Sequence, residues 1–523
     1  MHKCLQITEL FDIICRRVLV TGQPLEYMSG RSSLASLCRT CRFFHEPALN
    51  VLYKSLESFH PLLSCLPTIT IIDETGQKMI MLFKEVRLSD WRRMQHYAKR
   101  VHSLRVDQED VIIDKTILHA LATSPFAPPV FTHLKRLWWS NNSVDALPFL
   151  CSLVNARLEW LTLDGLDPIR FRRIAPLITS AGNSLHVARF PPEYSMRKIH
   201  PDVFQSWHNL QNLDCGLVND ATFCHLASAS KLTRLSIQVD EKNDYSALMK
   251  LTDQPVFTVL QELHIAATHT SHCIPILEIA ELPSLRSLRI RSTETGLTDV
   301  ELHQCFYQIS RHCPSLRDLY LEEWQVSPPE FPVGCIITFG ALKTLFSLRH
   351  LETLHLDTTC TFSLDDKELA QLANTWLKLR ALDLGTRNGW RQPSKITLQG
   401  LAELLWRCPV LSVVGFAMNA WAPDIDDQRP GGGVRRNGLE VLRVADSKID
   451  DPLSVAAFLS DVAPNAEITG YDIEYEEGVM FNRATRYRER WEEVARLHPL
   501  LVNLRKQETV GLGLDGSSRD KEY

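Results

Sequence analysis

The sequence predicts an α/β solenoid in which short parallel strands stack side by side and helices pack behind them. Three observations carry this. The unit L-x-x-L-x-L, as in Leu316-Arg317-Asp318-Leu319-Tyr320-Leu321, recurs along most of the chain. A helical pattern precedes the copies. The 523 residues exceed one ordinary core, yet no Pro/Gly-rich linker divides their middle, and a core that grows in one dimension resolves this.

In such a strand Leu319 and Leu321 point to one face while Asp318, Tyr320 and Glu322 point to the other. One strand cannot bury its apolar side alone; it needs neighbours with the same residues at the same height. Val101…Leu104…Val106 opens the series. Leu134…Leu137…Trp139, Leu158…Leu161…Leu163, the degenerate Leu185…Ala188…Phe190, Leu210…Leu213, Leu232…Leu235…Ile237 and Leu260…Leu263…Ile265 follow. Then come Leu285…Leu288…Ile290, Leu351…Leu354…Leu356, Leu379…Leu382…Leu384, Leu411…Val414…Phe416 and Leu439…Leu442…Val444. Successive fourth positions are 22 to 35 residues apart, around the period of leucine-rich repeats. The expected form is a horseshoe with parallel strands on its concave face and helices outside, about 12–13 repeats over residues 101–470.

The helices have their own signals. Thr298-Asp299-Val300-Glu301 is a capping box, followed at helical spacing by Leu302, Cys305, Phe306 and Ile309. Leu369, Leu372, Ala373 and Trp376 repeat that logic, as do Leu401, Leu404, Leu405 and Cys408 before Pro409. Residues 424–438, with Pro430 and Gly431-Gly432-Gly433, read as a flexible excursion. A bare last repeat exposes its leucines. A helical cap is therefore expected over 471–508, with Tyr487, Trp491, Val494 and Leu497 facing the stack and Arg486, Arg488, Glu492 and Glu493 facing water. Residues 509–523 read as a disordered tail.

Residues 1–56 read as three short helices. Ile7, Leu10, Phe11, Ile14, Cys15 and Val18 fall at helical spacing after Thr8 as N-cap. Residues 16–31, with Gly22, Pro24 and Gly30, read as a loop; Leu34, Leu37, Cys38, Cys41 and Phe44 form the next stripe; Pro47 opens a helix carrying Leu49, Leu52, Tyr53 and Leu56. So much apolar surface on so few residues must dock on the repeats or on another protein. Residues 57–100 read as a helical linker, in which Pro61, Leu62, Leu63, Leu66 and Pro67 make a short packed helix. Asp90 caps a second, which buries Trp91, Met94 and Ala98 and leaves Arg92, Arg93, Lys99 and Arg100 as a solvated face.

These first residues carry a resemblance. Leu5-Gln6-Ile7-Thr8-Glu9-Leu10, then the run from Leu34-Ala35-Ser36-Leu37-Cys38 through Arg42-Phe43-Phe44, then Pro47-Ala48-Leu49-Asn50-Val51-Leu52-Tyr53 resemble an F-box. With the stretch Asp90-Trp91-Arg92-Arg93-Met94 leading into the first repeat, the chain looks like the expanded fungal F-box proteins with leucine-rich repeats. Thr8 stands where that family has proline, and Tyr53 where many members have tryptophan. The resemblance implies a substrate-recognition subunit of a Skp–cullin–F-box ubiquitin ligase. Its F-box would bind a Skp-type adaptor, and through it a cullin, and its repeats an unknown protein target. Ile7, Leu10, Ile14, Leu34, Leu37 and Phe44 match the family's adaptor-facing positions. The alternative is a scaffold or inhibitor whose helices only cap the solenoid.

Composition bounds the rest. A net charge of −5 gives no general attraction to nucleic acid or to membranes. There is no run of 18 apolar residues and no signal pattern at Met1-His2-Lys3-Cys4-Leu5, so a cytoplasmic or nuclear location is expected. The 14 cysteines are scattered, as buried reduced thiols are. Cys38-Arg39-Thr40-Cys41 has metal-ligand spacing but no second pair, so no metal is expected. Gly511, Gly513 and Gly516 match a dinucleotide fingerprint in letters only, with no strand before and no helix after. Walker, H-E-x-x-H and G-x-S-x-G motifs are absent. The reading is a protein without catalytic site or cofactor.

Strand alternation nominates a target site. The third, fifth and seventh positions of each unit project from the concave face, among them Arg136, Trp138, Trp160, Arg289, Arg291 and Tyr320. Arg136 falls beside Trp160 in register, within reach of a cation–π contact. The alternative is that a loop, the tail or the linker covers these rings.

Overall fold

A computed structural model of the chain describes residues 7–19, 24–74, 77–107, 111–123, 131–141, 143–164, 166–190, 202–242, 256–294, 296–324, 335–387, 389–421, 433–470 and 481–511. It divides into two compact units, Met1–Leu232 and Thr233–Tyr523.

The first unit begins with helices Thr8–Leu19, Pro24–Thr40 and Arg42–Lys54. They enclose a small core of Phe11, Cys15, Leu34, Ala48 and Val51, with Leu37, Cys38 and Phe44 packed at its edge. Phe11 stacks on Phe44 at 4.2 Å between ring centroids. The helix boundaries correct the sequence reading. Most of the expected loop is helix, because Pro24 suits a first turn and Gly30 serves a close approach: a Cβ there would lie 2.3 Å from the Val18 carbonyl oxygen. The third helix starts at Arg42, with Cys41 extended at the junction and Pro47 inside the helix. Leu56 is in a strand, Ser55–Leu56, paired with Ser103–Val106.

The linker is not wholly helical. Ile69–Glu74 and Gln77–Leu82 form an antiparallel hairpin, and Val111–Ile113 adds a parallel third strand. Helix Leu88–Ala98 buries Trp91, Met94 and Ala98, but Asp90 sits in its first turn and accepts from the Arg87 amide at 3.3 Å. Arg100 is only 7% exposed. Its guanidinium reaches Glu46, Asn50 and the His96 carbonyl, tying this helix to Arg42–Lys54.

From there the leucine ladder sets the register. Strands Ser103–Val106, Arg136–Trp139, Trp160–Leu163, Val187–Arg189 and Asn212–Leu217 lie parallel, with Leu104, Leu137, Leu161, Ala188 and Leu213 directly opposite one another. All five are essentially inaccessible to solvent, so a one-residue slip would turn the whole row out to water.

Among the described residues, the second unit stacks nine strands in the same way, from Arg234–Val239 to Glu467–Thr469. Leu235, Leu263, Leu288, Leu319, Leu354, Leu382, Val414, Leu442 and Ile468 form one aligned row. Helix Asp299–His312 carries the expected capping box, the Glu301 amide donating to Thr298 Oγ1 at 3.3 Å and the Thr298 amide to Glu301 Oε2 at 2.9 Å. Asp365 and Glu368 repeat it in helix Asp366–Thr375. Two further ladders, Ile336–Thr338 with Thr361–Ser363 and Asn419–Ala420 with Lys448–Ile449, lie outside the predicted strands. Helix Phe481–Gly511 packs on the last repeat, burying Trp491, Val494 and His498. Trp491 Nε1 donates to the Ser447 carbonyl at 3.0 Å, and Arg505 pairs with Asp461 at 2.9 Å. The helix extends to Gly511, into the expected tail; residues 512–523, including two of the three fingerprint glycines, and most of the 424–438 excursion lie outside the described residues.

Each unit is therefore a stack of leucine-rich repeats. The described cysteines are free thiols, and burial pushes those of Cys305 and Cys313 up to about 12.

Candidate functional site

Three surfaces stand out. The first is on helix Thr8–Leu19, which has two apolar faces. Phe11 and Cys15 face the helical core. Ile7, Leu10, Ile13 and Ile14, recurring at three and four residues, are 47%, 41%, 54% and 41% exposed. Phe43 is also exposed, its ring 6.5 Å from that of Phe11. Of the residues matched to adaptor contacts, Ile7, Leu10 and Ile14 are thus on the surface, Leu37 and Phe44 half-buried at the core edge, and Leu34 fully buried. Leu34 belongs to the domain's own core. Ile13 and Phe43 were missed, although the three-and-four spacing of Leu10, Ile13 and Ile14 was there to find.

The second surface is the open face of the first unit's sheet. Register sets Arg136 opposite Trp160, and Trp138 opposite Arg105 and Thr162. The two tryptophans are diagonal neighbours. Trp138 is 39% exposed beneath Arg105, whose Cζ is 4.4 Å from the ring centroid. Trp160 is half-buried between Arg136 at 5.9 Å and Arg189 at 5.2 Å, and its indole N–H donates to Thr162 Oγ1 at 3.0 Å. Arg105 also pairs with Asp107 at 3.0 Å. Burial is the main reason the Asp164 carboxyl titrates above its usual range.

The third surface, the open face of the second unit, is a charge network. Arg291 reaches Glu322 through Nη2 at 2.9 Å, and Glu322 also accepts from the Trp324 indole at 3.3 Å. His355 stands 3.9 Å from Glu322 and 3.5 Å from Asp383. Asp383 accepts from Thr386 Oγ1 at 2.6 Å and from Arg443 at 2.7 Å. Arg443 reaches Asp383 across an intervening strand because the residue between them is Gly415. A Cβ on Gly415 would stand 2.6 Å from the Thr386 methyl and 3.1 Å from the Asp383 carboxyl carbon. Arg289 lies over Tyr320 at 4.3 Å. Trp324, 43% exposed, is flanked by Arg291 at 4.8 Å and Arg387 at 4.1 Å.

The nominated Arg136, Trp138 and Trp160 thus gather in the first unit, and Arg289, Arg291 and Tyr320 in the second. Reading every third, fifth and seventh position would have found Arg105, Arg189, His355, Asp383 and Arg443 as well. Trp324 and Arg387 lie past the repeat unit, where the pattern is silent. Cys38 and Cys41 do not share a helix face, and His45 Nδ1 is bonded to the Cys38 carbonyl at 2.9 Å. Among the described residues no group of three or more His, Cys, Asp or Glu side chains could hold a metal ion, and no helix is long and apolar enough to cross a membrane.

No family model and no curated protein matches the chain. Among solved structures, it is similar to a leucine-rich-repeat protein of Leptospira interrogans at 15% identity and a TM-score of 0.38, over 72% of this chain and 80% of that one. It is also similar to an internalin (inlF) of Listeria monocytogenes at 14% identity and 0.37, over 76% of this chain and 87% of that one. The leucine-rich-repeat fold itself rests on the aligned ladders.

Proposed function

We propose that the chain is a substrate-recognition subunit of a Skp–cullin–F-box ubiquitin ligase. The helices of residues 8–54 dock on a Skp-type adaptor, and through it on a cullin, while the repeats hold a protein target. The observation that carries this is the second apolar face of helix Thr8–Leu19. Four aliphatic side chains, Ile7 just before the helix and Leu10, Ile13 and Ile14 on it, stand in solvent while the helix's other face fills its core, and a contiguous stripe of this kind marks a protein contact. Its position within the F-box-like motif supplies the partner's class. The chain then works by proximity, raising the effective concentration of target lysines beside a charged enzyme, and contributes surfaces rather than bond-making groups.

Co-expression with a Skp-type adaptor tests it. The wild-type chain should co-purify with the adaptor. Leu10→Glu combined with Ile14→Glu should abolish that association and leave the melting temperature unchanged, since both side chains are exposed. Leu34→Glu is unsuitable because it would unfold the helical core. If the wild-type chain shows no association at micromolar concentrations, the ligase reading fails.

A further inference from the structure

We propose that the open face of the second unit takes an extended acidic segment of the target through Arg289 and Arg387. This rests on the reading that the repeats hold a protein target, and adds the chemistry of what is held. Both guanidiniums lie on aromatic rings, Arg289 over Tyr320 at 4.3 Å and Arg387 over Trp324 at 4.1 Å. Among the described residues neither has a carboxylate partner, and Arg289 Nε is buried without an acceptor. On the same open face Arg234, Arg291 and Arg443 each hold a carboxylate. Among the described arginines of that face these two stand without a carboxylate, each on an aromatic ring, and arginines and aromatics are the residue types that anchor interfaces.

Their placement gives the length of the ligand. Tyr320 and Trp324 are four residues apart along one strand direction, roughly 13 Å. Carboxylates four residues apart in an extended peptide laid along that strand match the spacing. The residue between them would face the Arg291–Glu322 pair, which is already neutral. The carboxylates of Glu322, Asp357 and Asp383 surround the site. A polyanion or a doubly charged phosphate would set surplus negative charge against them, whereas two separate carboxylates meet only the two free guanidiniums. The occupant is therefore an Asp- or Glu-bearing segment.

The probe is a short fluorescein-labelled peptide of serine and glycine with two glutamates four residues apart, titrated with the whole chain and read by fluorescence polarisation. It should bind about tenfold tighter than its glutamine counterpart or than a peptide with adjacent glutamates, and added salt should weaken it. Arg387→Ala should cost about tenfold in affinity, and adding Arg289→Ala should remove binding. Arg317→Ala, which leaves Glu352 still paired with Arg380, should leave it unchanged. Arg289 packs on Tyr320, so a melting curve accompanies its variant; the exposed Arg387 decides alone if that variant unfolds. Equal binding of glutamate and glutamine peptides, indifference to Arg387→Ala, or tighter binding of a phosphoserine version overturns the proposal. Adaptor association is read separately on the same protein. A chain that holds the adaptor and ignores the peptide overturns this inference and not the ligase reading.

Discussion

The two open faces are built on the same alternation and come out differently. In the first unit the fifth-position row runs Arg105, Trp138, Thr162, Arg189 and Asp214, and guanidiniums lie on indole rings. In the second it runs Ser236, His264, Arg289, Tyr320, His355, Asp383, Gly415, Arg443 and Thr469, and charges are handed from strand to strand. An exposed stack loses little when one member goes, because water replaces it. The network has drawn a carboxylate inward, Asp383 being 3% exposed, and a buried charge needs every partner it has. A repeat fixes where side chains project; the depth at which charge is placed decides whether a surface is adaptable or rigid.

The strongest way to break that contrast is Asp383→Ala. It strips His355, Thr386 and Arg443 of their shared acceptor and should lower the unfolding free energy by about 3 kcal/mol in denaturant titration. A loss under about 1 kcal/mol would show the network to be no more rigid than the stacks. A smaller effect is expected from pH. Burial would lower the His355 pKa, but Asp383, Asp357 and Glu322 outweigh it and hold it above the ordinary 6.5. Its contribution is therefore full below 6.5 and lost as pH rises through the raised value. Burial would raise the carboxyls of Glu322 and Asp383, but Arg291 on the first and His355 on the second hold both low. Their contributions are present above the ordinary carboxylate values and lost as pH falls through the depressed ones. Stability should be greatest between roughly pH 5 and 6.5, and His355→Gln should flatten the alkaline side alone in melts taken across pH. The smallest effect belongs to the first unit: Trp138→Ala should change the unfolding free energy by no more than about 0.5 kcal/mol. A loss comparable to that at Asp383 would mark the indole as core.

The strand ladder was legible because L-x-x-L-x-L states register outright, and within each unit the predicted fourth-position residues align with their neighbours. The hairpin of residues 69–82 was also written in the chain, as a β-branched run, Ile69-Thr70-Ile71-Ile72, before Thr75-Gly76. It was hidden by the helical patterns on either side. Gly30 could not have been read correctly from sequence, since a glycine in a loop and one beneath a crossing backbone look alike. The same holds for Arg100, whose partners Glu46 and Asn50 come from a different helix, and for Leu34, which helical spacing places on an apolar stripe without saying which side meets water. Candidate sites were half-legible for a related reason: alternation names the side chains on a face but not their pairing, which at Arg443 depends on a missing Cβ.

Pro47 lies in the second turn of helix Arg42–Lys54, and proline has no amide hydrogen. The carbonyl of Phe43 therefore lacks the donor four residues on that every regular helix supplies. The Phe43 ring is exposed beside helix Thr8–Leu19. Grease alone has no sense of direction, and a stripe of aliphatic side chains can be covered at many angles. A carbonyl released from its helical donor beside such a stripe would be a compass point: a partner that brought an N–H or O–H to Phe43 would fix its heading on an otherwise slippery face.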